Sequence, residues 1–220
     1  MIKQLPRWVE HGAFLLSLMA GLINAIGFMG FKHQAITHVS GLATQFSLSV
    51  ASHNPSIHLL LILVSFLIGA LISGLLIKHT YFEQHQNYSI PLLLEAILLA
   101  LAMFALLDHW VIGYYFASMA CGLQNAMVTT FSGAIVRTTH LTGIMTDLGI
   151  MLGHALRGKN LDRRKLRLFS LIILGFIAGG IIGVYAFQVM ALWSFSIAIV
   201  LACTMAMVYH FTIHVKQKSA

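Results

Sequence analysis

Thr37-His38-Val39-Ser40-Gly41-Leu42-Ala43-Thr44 returns in the second half of the chain as Thr139-His140-Leu141-Thr142-Gly143-Ile144-Met145-Thr146. Upstream of each copy stands a second shared run, Gly21-Leu22-Ile23-Asn24-Ala25 and Gly122-Leu123-Gln124-Asn125-Ala126. Downstream, Gly69 to Gly74 lines up with Gly175 to Gly180. Polar runs kept in one order, with apolar filler between them, mark an internal duplication, and a repeat of this kind constrains the fold before any single helix is read.

Outward from these runs, both halves read alike. A long apolar helix (about 12–31; about 111–131) precedes a weakly hydrophobic Thr/Gly/Ser segment (36–52; 139–156). A Gly-containing apolar helix follows (58–78; 168–189), and then a last apolar helix (90–107; 191–212). The six strong stretches are close to the roughly 20 residues needed to cross hydrocarbon. With 59% hydrophobic and only 9% charged residues, the chain lacks the charge to solvate a globule's surface, for which about 25% is usual. The expectation is an all-α, polytopic membrane helix bundle of two inverted repeats, with six strong spans and two weak or re-entrant polar helices. It forms one membrane domain over 1–220, with repeats at about 12–107 and 111–212.

The net charge of +7 raises the question of nucleic acid. The basic residues, however, sit in short runs between apolar stretches, as positive-inside loops do, with no aromatic stacking platform. Cys121 and Cys203 lie in apolar runs without a CxxC partner, against a disulfide scaffold or a structural zinc site. The N-terminal apolar run reads as a retained span, because Leu18 occupies a position where signal cleavage after Ala20 wants a small residue.

Charge counting separates two topologies. If both weak segments re-enter, both termini are cytoplasmic. Lys3, Arg7, Lys78, Arg137, Arg157, Lys159, Arg163, Arg164, Lys165, Arg167, Lys216 and Lys218 then lie inside, and only Lys32 outside. If both segments cross, Lys78 and Arg137 join Lys32 outside. The positive-inside rule favours re-entry. Three spans per repeat then force the halves to be inverted. The loop Ser52 to His58, without Lys or Arg, fits that inversion against its counterpart, the basic cytoplasmic loop 157–167.

The run Gly122 to Ala126, and Arg137-Thr-Thr-His-Leu-Thr-Gly-Ile-Met-Thr-Asp-Leu-Gly149, resemble the YoaK-like bacterial membrane proteins (domain of unknown function 1275). The resemblance covers nearly the whole chain. It implies a six-span protein of the bacterial inner membrane and carries no established activity with it. Asn24 stands where many such proteins carry Asp, and Ser40-Gly41-Leu42 where Thr-Gly-Asn is common, so ion coupling through an acid at position 24 is not implied.

Polar backbone at membrane depth survives where it is buried in protein or lines a wet cavity, and inverted-repeat transporters set such broken segments at the midplane. On a helix, Thr139, Gly143 and Thr146 share one face, with His140 and Asp147 beside it. Thr37, Gly41 and Thr44 repeat the face, with His38 and Gln45 beside it. Together with Asn24, Gln124 and Asn125, these residues are the candidate substrate site. The competing reading gives hydroxyl and small residues to close helix packing; Gly41, Gly143, Gly175, Gly179, Gly183, Gly69 and Ser73 are read that way. Asp147 is the sharpest functional candidate, an intramembrane acid being functional by default. Glu95, a few residues into its span, is expected to snorkel.

His53, His58, His79, His85, His109 and His154 fall at loop edges. His210 and His214 share a helix face, but two ligands do not complete a zinc site, and no metal or other cofactor is expected. No nucleophile elbow, Walker loop or dinucleotide glycine pattern is present. The leading expectation is a permease for a small polar solute or ion, plausible as a homodimer in the lipid bilayer. The alternative is a non-transporting membrane scaffold acting through loop 157–167, which also suits anionic lipid. An enzyme using His140 and Asp147 would need the helix broken between them.

Overall fold

A computed structural model describes residues 8–30, 36–77 and 88–218, with side chains to Phe211. Lys3, Arg7, Lys32, Lys78, His79, His85 and the side chains of His214, Lys216 and Lys218 lie outside the described residues. The helices are α1 (Trp8–Gly30), α2 (Val39–Ala51), α3 (Ile57–Leu76), α4 (Ser89–Leu107), α5 (Ile112–Phe131), α6 (Leu141–Leu156), α7 (Arg163–Met190) and α8 (Phe195–Lys218). A single 3-10 turn, Ala191–Ser194, joins the last two.

Local chemistry explains several boundaries. Asp162 caps α7, its carboxylate accepting from the N–H groups of Arg164 and Lys165 at 3.1 Å each, which satisfies two donors that the helix start would leave orphaned. Pro91 stands in the first turn of α4, where its missing N–H costs nothing. After α5 the chain reverses through Gly133 and Ala134, at φ 59° and 63°, and Ser132 Oγ accepts from Val136 N at 2.8 Å.

Among the described residues, four helical stretches are long and apolar enough to cross a membrane: α1, α3, α4 and the 49 residues from Arg163 to Phe211. Unbroken, that last stretch would be about 74 Å long, more than twice the roughly 30 Å of hydrocarbon. Ala191, at φ 48°, turns it between α7 and α8. The expectation of six strong spans is not met on apolarity alone. Helix α5 falls short because Gln124, Asn125, Thr129 and Thr130 dilute it.

Packing crosses between the halves. The broadest contacts set α1 along α7 and α3 along α5, so the first helix of each half lies on the third element of the other. Phe14, Leu18 and Leu22 face Gly175, Gly179 and Gly183 in turn, and numbers rising together make α1 and α7 parallel. His58 Nδ1 meets the Tyr115 hydroxyl at 3.0 Å, and Ser118 Oγ donates to the Ile62 carbonyl at 2.8 Å, so α3 and α5 are parallel as well. Helices α4 and α8 are antiparallel, Tyr88 meeting Tyr209 at 5.5 Å and Phe104 meeting Trp193 at 6.4 Å. Helices α1 and α5 are also antiparallel, through Trp8 with Phe131 at 5.7 Å and Gln124 Nε2 donating to the Leu16 carbonyl at 3.2 Å. With α4 and α5 joined by the short turn at 108–111, α1, α4 and α7 run one way and α3, α5 and α8 the other.

Glycines make the parallel contacts possible. A Cβ on Gly21 would overlap the Phe176 carbonyl, and one on Gly122 the Phe66 carbonyl; Gly179 meets Leu18 and Gly69 meets Met119 in the same manner. These equivalences correct one alignment made from sequence. Gly69 corresponds to Gly179, and Ser73 to Gly183, one helical turn beyond the match of Gly69 to Gly175. Sequence spacing alone does not separate glycines four apart, because they lie on the same face. Gly69, Ser73, Gly175, Gly179 and Gly183 are buried packing residues. Gly41 is not: it is exposed, and a Cβ there would touch only the Cβ of His38, at 3.8 Å.

Candidate functional site

The two polar segments begin before their helices do. Helix α2 starts at Val39 and α6 at Leu141, so Thr37 and Thr139 precede them in non-helical backbone. The expected stripes Thr37-Gly41-Thr44 and Thr139-Gly143-Thr146 are therefore broken at their first member. What the structure forms instead is a matched pair of hydrogen bonds. Thr37 Oγ1 donates to Asn24 Oδ1 at 2.6 Å, and Thr139 Oγ1 donates to Asn125 Oδ1 at 3.3 Å. Thr37 thus lies beside α1 at the level of Asn24 before α2 begins. The second half does the same against α5.

These segments are sealed into the bundle. Ile36, Thr37, Val136, Thr138 and Thr139 are all buried. Gln124 is wholly enclosed; its amide nitrogen donates to Leu16, and its carbonyl accepts from Thr138 at 3.5 Å. Because Gln124 faces Leu16, and Asn24 lies eight residues further along α1, the two Asn–Thr pairs stand about 12 Å apart along the bundle. They do not converge on a single hollow. Thr138 was missed from sequence because its counterpart in the first half is Ile36, so comparison of the repeats set it aside.

Beyond the pairs, the candidate residues separate. Thr44 and Thr146 face outward, each hydroxyl folding back on its own helix to Ser40 and Thr142 carbonyls at 3.0 Å. Gln45 is half-buried on α2, and His38 lies edge-on to Phe176 at 6.0 Å. Exposed His140 meets Arg137 at 3.5 Å. A Cβ on Gly143 would come within 2.6 Å of the His140 ring, so this glycine seats an imidazole and not a neighbouring helix. Asp147 forms an ion pair with Lys165 at 3.6 Å, its side chain 48% exposed. Lys165 also lies over the Phe169 ring, at 5.1 Å. A pair this exposed stabilises little, so Asp147→Asn is expected to change stability by less than about 1 kcal/mol. A thermal melt in detergent checks this, and a large drop would give Asp147 a structural task.

Glu95 reverses its expectation. Its side chain is completely buried, and neither carboxyl oxygen has a hydrogen-bond partner among the described residues. Six residues into α4 it is about 9 Å from the helix start, beyond the reach of its short stem, so snorkelling fails. An apolar cavity of about 80 Å³ lies at the end of the bundle among Trp8, Leu16, Tyr88, Met127, Phe131 and Tyr209, and Glu95 does not line it. None of the Asn–Thr residues lines it.

The family model for a protein of unknown function, DUF1275, matches residues 12–209. The chain belongs to the DUF1275 family. That match takes in both Asn–Thr pairs and both parallel helix contacts. Comparison with curated proteins and with solved structures gives no match, so the family membership brings no activity with it.

Proposed function

We propose that this DUF1275 chain is a permease of the bacterial inner membrane, moving a small polar solute or ion through a six-span bundle of two inverted repeats. The observation that carries it is the duplicated Asn–Thr hydrogen bond, formed where a non-helical segment turns back beside the first helix of each half. The helix directions support inversion, since one half reads α1, α3, α4 and the other α5, α7, α8 with every direction reversed. Helices α2 and α6, about 20 and 24 Å long, are too short to cross and serve as re-entrant arms.

In this reading each Asn–Thr bond is a latch between an arm and the bundle, one on either side of the midplane. Opening a latch frees a hydroxyl, an amide and unpaired backbone, groups that can replace the hydration of a polar solute. The outward hydroxyls of α2 and α6 would be covered by a second copy in a homodimer.

The test is uptake by proteoliposomes over a broad panel of small solutes and ions. Wild type should show flux above empty vesicles. Asn24→Leu and Asn125→Leu, each removing a bond of about 1 kcal/mol, should change the rate about fivefold. His140→Ala and Asp147→Asn test the neighbouring polar groups. A panel with no flux above empty vesicles rejects the permease.

A further inference from the structure

We propose that Glu95 is a proton-binding site inside the bundle, a carboxyl that takes up and releases a proton as the helices around it rearrange. The group is fully enclosed, 0% exposed, with both oxygens unpartnered among the described residues. The buried residues of the helices that meet here are apolar: Leu92, Leu98 and Leu99 on its own helix, and Ala198 and Ala202 on α8, which packs along α4. From α5, Cys121 lies within electrostatic reach, and Tyr114 and Tyr115 stand further toward that helix's start. Helix α8 carries Cys203, Tyr209 and His210 over its described side chains, and α4 carries no second titratable residue. No Lys or Arg lies on α4, on α5 or on the described side chains of α8 to balance a carboxylate.

An ionised, unpaired carboxylate in such a place costs several kcal/mol, so in this conformation the group is the neutral acid. Even then its O–H lacks an acceptor. A side chain serving only to fill space would do so at lower cost as Leu or Met. The acid also stands outside the duplication, because α8, the matching helix of the second half, has neither Asp nor Glu. It is therefore not a relic of a shared packing motif. Intramembrane acids of this kind mark proton relays. The exchange is a simple one: the carboxyl gives its proton to water when a rearrangement brings water to it, and recovers it when the helices close. Coupling of that exchange to solute movement rests on the permease reading; the exchange itself does not.

Infrared spectroscopy of the full chain in lipid nanodiscs tests it. Wild type should show a protonated-acid carbonyl band that is absent from Glu95→Gln, shifts on transfer to D₂O and is lost reversibly as the pH is raised. Dicyclohexylcarbodiimide, whose C=N bond adds the acid O–H and then rearranges to an N-acylurea, should label the Glu95 peptide of wild type. That labelling, read by mass, assigns the band if Glu95→Gln fails to fold. A band unchanged in Glu95→Gln overturns the proposal, as does one that neither exchanges nor titrates while the protein stays folded. Loss of carbodiimide labelling from the Glu95 peptide overturns it too. If the band titrates while Glu95→Gln transports as wild type does, the proton site stands and only its coupling falls.

Discussion

Gly179→Leu unseats α7 from α1 and costs about 3 kcal/mol or more, the upper end of what overpacking does. The reason is the rigidity of what the new side chain meets. A Cβ at Gly179 would overlap the Leu18 carbonyl, and one at Gly183 or Gly175 would come to 2.7 or 2.6 Å from the Leu22 or Phe14 carbonyl oxygen. Main chain cannot swing aside as a flexible side chain does, so the helices must separate, and the longest contact in the bundle goes with them. The mirror substitution, Gly69→Leu against Met119, should cost as much. Gly74→Ala, Gly149→Ala and Gly153→Ala, with nothing within 4 Å of the added atom, should keep the packing and add up to about 0.5–1 kcal/mol each by helix propensity. Thermal melting and size-exclusion profiles in detergent decide the matter. A Gly179→Leu protein that melts with wild type would mean that α1 and α7 do not pack in this register.

Glu10→Lys is the second substitution with a large effect. Glu10 is buried at the start of α1, its Oε1 3.1 Å from Arg164 Nε and its Oε2 3.8 Å from Arg167 Nη1. Reversing its charge sets three cations together. Arg167 is well exposed and Arg164 only partly buried, so solvent screens part of the repulsion, and the loss should be about 2–3 kcal/mol rather than the full penalty of a buried pair. Arg164→Glu in the Glu10→Lys background should recover most of it, a coupling that a double-mutant cycle isolates. Additive losses would show that the two side chains do not interact.

Much of this molecule is readable from its residues alone. Apolar runs of span length, scarcity of charge and the twofold Thr-His and Asn-Ala runs lead to helices, to a membrane and to a duplication, because composition and period act locally. The partners of Asn24 and Asn125 were legible only as a shared pattern. Which hydroxyl each would meet depended on where α2 and α6 begin, and a run of Thr, His and Ser reads equally well as a helix start or as the strand of chain before it. Helix starts therefore moved three residues in the first half and two in the second, which was enough to take Thr37 and Thr139 off their expected faces and onto α1 and α5.

What the amino-acid order determined by itself is the kind of protein: a helical chain with apolar runs of span length, and polar runs that recur in matching places. Only the tertiary structure decided that the halves trade packing partners, that Gly69 answers to Gly179, and that Glu95 faces inward with nothing to bond. Burial of a side chain and choice of helix neighbour are set by residues distant in sequence, and a hydrophobic stretch presents much the same face to lipid as to another helix.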